Sequence, residues 1–103
     1  MSSDERTMGQ LQSDTEALTR LRVRLLPPYK VILHNDDYND MDYVVAALLQ
    51  AVNQLTQAEA EYIMLTAHLR GSAVAVVCPK EIAEFYQERL LSFGLTATIE
   101  PDK

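Results

Sequence analysis

An apolar run, Tyr29 to Leu33, ends at three consecutive turn-forming residues, Asn35, Asp36 and Asp37, and apolar residues then resume at Met41 with helical spacing. No other stretch limits the fold as much. The β-branched and apolar side chains of 29–33 suit a strand, and Asx side chains, which hydrogen-bond their own backbone, favour a turn over its continuation. Beyond the turn, Met41, Val44, Val45, Leu48, Leu49 and Val52 recur every three or four residues and predict one buried helical stripe. Asn39 or Asp40 stands where an N-cap is needed, and the acidic residues nearby suit the positive end of the helix dipole. A strand thus passes to a helix through a short polar cluster beside an apolar floor.

The remaining elements carry their own signals. Thr56 and Glu59 form a capping-box pattern for a second helix, and Gly71 suits a left-handed cap at its end. Its inward face is expected to hold Ala60, Ile63, Met64, Ala67 and His68. Ala73 to Val77 reads as a short, continuously apolar strand, and Pro79 suits the first turn of a third helix. That helix is expected to turn Ile82, Phe85, Tyr86, Leu90 and Phe93 inward and to stop at Gly94. Leu95, Ala97 and Ile99 then alternate with threonines as in a half-buried strand. The order strand, helix, helix, strand, helix, strand predicts a small single α+β domain, three helices packed on a three-stranded antiparallel sheet.

At the other end, composition changes at Pro27 and Pro28. Residues 1 to 18 are polar and read as a mobile arm. From Leu18 to Leu26, Arg20, Arg22 and Arg24 alternate with Leu21, Val23 and Leu25, which suits an extended, solvated linker more than a basic binding motif. The expected division is a flexible extension over 1–26 and a folded core over 27–103.

Composition narrows the function. With 103 residues, 48% of them apolar, one small core is expected, and a large catalytic cleft is hard to build. No apolar stretch is long enough to span a bilayer, and no signal peptide opens the chain, so a cytoplasmic, non-membrane protein is expected. The lone Cys78 excludes an internal disulfide and a cysteine-cluster zinc site. A net charge of −6 argues against nucleic-acid binding, which draws on Lys and Arg, and favours a protein, a peptide or a cationic group. No glycine-rich phosphate loop or nucleophile motif is present, so the chain is not expected to be an enzyme.

Each polar feature admits a structural reading beside a functional one. Asn35, Asp36 and Asp37 could simply form a solvated turn that caps the first helix. His68 could be a partly buried structural histidine, and Met41 and Met64 could fill gaps in the core. A metal site would require His34, Asp36, Asp37 and His68 together. His34 adjoins Asn35 on a strand and should face the opposite way, so no metal or cofactor is expected.

Together these residues resemble a known family. Tyr29-Lys-Val-Ile-Leu-His-Asn-Asp-Asp-Tyr38, Met41, Met64-Leu-Thr-Ala-His68 with Gly71, and Glu81-Ile-Ala-Glu84 are similar to the ClpS family of Clp protease adaptors. The resemblance implies an adaptor that recognises proteins by a destabilising N-terminal residue and hands them to a Clp AAA+ unfoldase of ClpA or ClpC type. It implies that Asn35, Asp37 and His68 surround the substrate's α-amino group, with Asp36 near the peptide backbone. It further implies a pocket for the first side chain formed by Asn39, Met41, Val44, Met64, Ala67 and Leu95, and unfoldase contacts at Tyr38 and Glu81. Implied substrates begin with Phe, Tyr, Trp or Leu, and nothing in the chain requires more than a monomer.

Elementary chemistry agrees with that task. A free α-amine, with a pKa of about 7.7 to 8.0, is mostly a cation with three donors at neutral pH, so it needs acceptors and no competing ammonium. Burying a Leu- or Phe-sized side chain contributes roughly 1.5 to 3 kcal/mol. A neutral His68 would have to offer its lone pair, so acidification should weaken binding. The chain departs from the family pattern at Asn39-Asp40, where Thr-Pro is common, at Ala67, where valine is usual, and at Tyr86, where lysine is usual. The smaller Ala67 predicts a deeper pocket that favours Phe and Tyr over Leu, and Met41 predicts poor binding of Val and Ile. Two alternatives are a Clp regulator without N-degron binding and a ribosomal L7/L12-like interaction domain, although the latter would be expected to show a basic helix.

Overall fold

The computed structural model describes residues 14–22 and 26–103. Residues 14–22 form helix α1. The following elements are strand β1 (Pro28–His34), helix α2 (Met41–Ala51), helix α3 (Gln57–Arg70), strand β2 (Ser72–Pro79), helix α4 (Lys80–Ser92) and strand β3 (Thr96–Pro101). The sheet has the order β2-β1-β3 with both pairings antiparallel. This is the expected α+β plan with one more helix.

That extra helix corrects the reading of 18–26 as extended. Residues 18–22 are helical and exposed, and Thr19 Oγ1 donates to the Thr15 carbonyl at 3.0 Å, one turn back. Leu, Arg, Ala and Glu are strong helix formers, and over so few residues a period of two coexists with Leu18 and Leu21 at helical spacing. Val23 to Leu25 and the first thirteen residues, part of the expected arm, lie outside the described residues.

β1 is the central strand, and it alternates strictly. Val31 and Leu33 are buried beneath the helices, while Lys30, Ile32 and His34 face the open side of the sheet. β2 does not alternate throughout. Its register against β1 shifts between Val31, opposite Val76, and Ile32, opposite Val74, leaving Ala75 as an extra residue. Ala73 and Ala75 are buried before this bulge, Val76 and Cys78 face the core after it, and Val74 and Val77 are exposed. A continuously apolar run gives no parity signal, which is why the bulge was not anticipated.

The helices close over the inner face. Thr56 Oγ1 accepts from the Glu59 N–H at 3.2 Å and the Glu59 carboxylate accepts from the Thr56 N–H at 2.9 Å, completing the capping box. Gly71 ends α3 at φ 95°, which an L side chain adopts only with strain. Val45, Ala47, Leu48, Ala51 and Val52 bury the inner face of α2, and Ala60, Ile63 and Ala67 that of α3. Arg89 on α4 donates to the carbonyls of Gln50 (2.6 Å) and Ala51 (3.0 Å), satisfying acceptors that the end of α2 leaves open.

α4 is rotated from the expected face. Ala83, Tyr86, Leu90 and Phe93 turn toward the core, while Ile82 and Phe85 are exposed, with the Arg89 guanidinium 5.6 Å from the Phe85 ring centroid. Small Ala83 lets the helix approach the sheet closely, and positions 83, 86, 90 and 93 keep helical spacing as well as the expected set did. Burial raises the pKa of the Cys78 thiol above its ordinary value. Among the described residues no helix is long and apolar enough to cross a membrane.

Candidate functional site

Where β1 ends, the chain crosses to α2 through residues 35–40. The Asn35 N–H donates to the Gly71 carbonyl at 2.9 Å, so the start of this loop is tied to the end of α3. That bond sets Asn35 beside the last turn of α3, which carries His68. Asp36 then shapes the loop from within. Its Oδ1 accepts from the N–H groups of Tyr38 (2.9 Å) and Asn39 (2.8 Å), and its Oδ2 accepts from Asn39 Nδ2 at 3.1 Å. Partial burial acts to raise the Asp36 pKa, but the bonds from the Asn39 backbone, the Asn39 side chain and the Tyr38 backbone outweigh it and hold the carboxyl below its ordinary value. Asp40 is the N-cap of α2, yet its side chain makes no cap bond.

Around this loop lies a cleft of about 320 Å³. Asn35, Asp36, Asp37, Asn39, Met41, Val44, Met64, Ala67 and His68, all expected from the sequence, line it. The hydrogen bonds divide the polar set. Asp36 is committed to its own loop, whereas the side chains of Asn35, Asp37 and His68 make no hydrogen bond or ion pair among the described residues. The Asp36 carboxylate thus holds the conformation of residues 36–39. His68 is exposed at the rim and not inward-facing, and Met41 is exposed as well. Ala67, 2% exposed, closes the apolar floor with Val44 and Met64.

Leu95 does not belong to this wall. It is buried in the core, its N–H donating to the Leu90 carbonyl at 3.1 Å, and it does not line the cleft. Asp40, part of the Asn39-Asp40 departure from the family pattern, lines the cleft too, and so do Leu33 and His34, which the sequence did not single out for it. His34 Nε2 lies 2.7 Å from Thr98 Oγ1 on β3, so its ring is engaged away from Asp37 and His68. Leu33 could have been read from its place just before the Asx turn. Of the two exposed residues expected to meet an unfoldase, Tyr38 projects from the loop, 94% exposed, and Glu81 lies in the first turn of α4.

The arrangement can hold a cation with several donors at its mouth and an apolar group on its floor. Comparison with known proteins gives a consistent result. The family model described as ATP-dependent Clp protease adaptor protein ClpS matches residues 25–98. An ATP-dependent Clp protease adapter protein ClpS of Synechococcus elongatus is 49% identical over 84 residues, covering 82% of this chain and 88% of that protein. Its namesake in Gloeobacter violaceus is 47% identical over 90 residues, covering 85% and 97%. The solved structure of Agrobacterium tumefaciens ClpS2 bound to L-phenylalaninamide is similar with a TM-score of 0.65 and 36% identity, covering 74% of this chain and 98% of that one.

Proposed function

Because the chain belongs to the ClpS family of ATP-dependent Clp protease adaptors, we propose that its cleft captures proteins by a free α-amino group and a bulky apolar first side chain and presents them to a Clp unfoldase. The observation that carries this reading is a set of three polar side chains, Asn35, Asp37 and His68, that make no hydrogen bond or ion pair among the described residues and lie above an apolar floor. The Asn35 amide oxygen, the Asp37 carboxylate and the His68 lone pair supply one acceptor for each hydrogen of an ammonium group. L-phenylalaninamide, the molecule bound to the Agrobacterium protein, carries both a free amine and a benzyl group, which supports the assignment. Residues 27–103 hold the substrate in this reading, and exposed Tyr38 and Glu81 meet the N-terminal domain of a ClpA- or ClpC-type unfoldase.

Fluorescence anisotropy of labelled peptides differing only at the first residue tests the proposal. Peptides beginning with Phe, Tyr, Trp or Leu are expected to bind, and an N-acetylated Phe peptide is expected to lose most of that affinity, since acetylation removes the charge and leaves acceptors unpaired at about 1 to 3 kcal/mol each. Equal binding of free and acetylated peptides would overturn the reading.

Floor shape sets the preference within that group. Ala67 leaves room that a valine would fill, so Phe and Tyr are favoured over Leu. Ala67→Val adds two carbons to the wall, each able to contribute about 0.8 kcal/mol when buried against a ligand. It is expected to shift the Leu-to-Phe affinity ratio toward Leu by roughly tenfold, because the smaller side chain then packs against a fuller wall while the larger one is crowded. An unchanged ratio would remove Ala67 from the specificity wall.

A further inference from the structure

The acceptor loop is held at its far end by two side chains. Asn39 Nδ2, besides meeting Asp36, donates to the Gly94 carbonyl at 3.1 Å. Tyr43, in the first turn of α2, donates through its hydroxyl to the Phe93 carbonyl at 2.6 Å. Asn39 in the loop and Tyr43 one turn on thus bond to consecutive carbonyls of the turn between α4 and β3. Carbonyls at a helix end lack intrahelical partners, so this turn offers free acceptors. The turn is itself well defined, with Gly94 at φ 82° and its N–H bonded to the Leu91 carbonyl at 2.9 Å.

We infer that Asn39 and Tyr43 are positioning residues, a two-point clamp that seats the acceptor loop against the α4–β3 turn so that Asn35 and Asp37 meet an α-amine together. The inference rests on the function proposed above. Asp36 fixes the internal shape of residues 36–39, and its carboxylate bonds lie within that segment. The Asn35 to Gly71 bond anchors only the start of the loop. Without the clamp the stretch between that bond and the packed stripe of α2 is less constrained, and a ligand must then order it, which lowers affinity.

The test uses the full chain with Asn39→Ala, Tyr43→Phe and the double variant. Anisotropy with Phe- and Leu-initiated peptides is combined with hydrogen exchange of the Tyr38 and Asn39 backbone amides. Tyr43→Phe keeps the ring and removes one hydroxyl, so it retains the fold. Each single variant is expected to weaken both peptides by about three- to tenfold and to speed exchange at both amides, and Tyr43→Phe, at a residue outside the cleft lining, is expected to leave the Phe-to-Leu ratio within about twofold. Unchanged affinity, or a ratio changed by Tyr43→Phe, overturns the clamp. If the unaltered chain binds no peptide the proposed function fails, and the exchange rates still decide the clamp, because rates equal to those of the unaltered chain overturn it.

Discussion

Replacing Asp37 with alanine is expected to weaken binding of a Phe-initiated peptide about ten- to a hundredfold while leaving the unfolding midpoint in urea unchanged. The carboxylate is exposed and makes no hydrogen bond or ion pair among the described residues, so the free protein loses no interaction with it. A bound ammonium would lose a charge-assisted hydrogen bond contributing about 1.5 to 3 kcal/mol, which is the stated range in affinity. Its neighbour behaves oppositely. Asp36→Ala deletes the acceptor of three loop bonds, so it is expected to accelerate amide exchange at Tyr38 and Asn39 and to weaken binding through disorder. Acid should mimic that change. The folded Asp36 carboxyl titrates below its unfolded value of 3.8, so its contribution is complete above that value and is lost as pH falls through the folded pKa. Loop order attributable to Asp36 should therefore persist at pH 5 and fail only below about pH 4. Similar exchange rates in both aspartate variants would refute this division of roles.

Leu48→Ala carries the largest expected effect on stability, a loss of about 2 to 5 kcal/mol measured by urea unfolding. Leu48 is fully buried on the inner face of α2. Truncation leaves a cavity in a close-packed core that has little freedom to collapse. A domain of this size has a total stability of roughly 5 to 10 kcal/mol, so the variant approaches the unfolding threshold at ambient temperature. Leu69→Ala is the control. At 78% exposure, Leu69 is expected to change stability by no more than about 0.5 kcal/mol. Comparable losses in the two variants would mean that the core is not centred on the α2 stripe.

Local codes were legible wherever a few adjacent residues settle the outcome. The capping box of Thr56 and Glu59 and the left-handed cap at Gly71 depend on bonds within a turn of chain, and both form as their residue types require. The strand β1 and the order of its neighbouring elements were equally readable, because a β-branched, apolar run that ends at turn-forming residues favours a strand. Where the period was ambiguous the reading failed. Residues 18–22 satisfy a period of two as well as a helix, the apolar run of β2 conceals the bulge at Ala75, and α4 could bury either of two overlapping faces.

For the site, residue types determined which chemistry was available: carboxylate, amide and imidazole acceptors, and thioether and aliphatic walls. Tertiary structure decided how each was used. Asp36 and Asp37 are identical side chains one residue apart, yet one accepts three loop bonds and the other makes no hydrogen bond or ion pair among the described residues. Leu95 and Ala67 were both expected in the pocket and both are buried in the core, yet only Ala67 lines the cleft. Asn39 and Tyr43 reach carbonyls far along the chain, 55 positions away for Asn39 and 50 for Tyr43. Backbone carbonyls are alike at every residue, so which of them lies within reach of a side chain is decided by the packing of α4 against the sheet and by nothing in the local sequence.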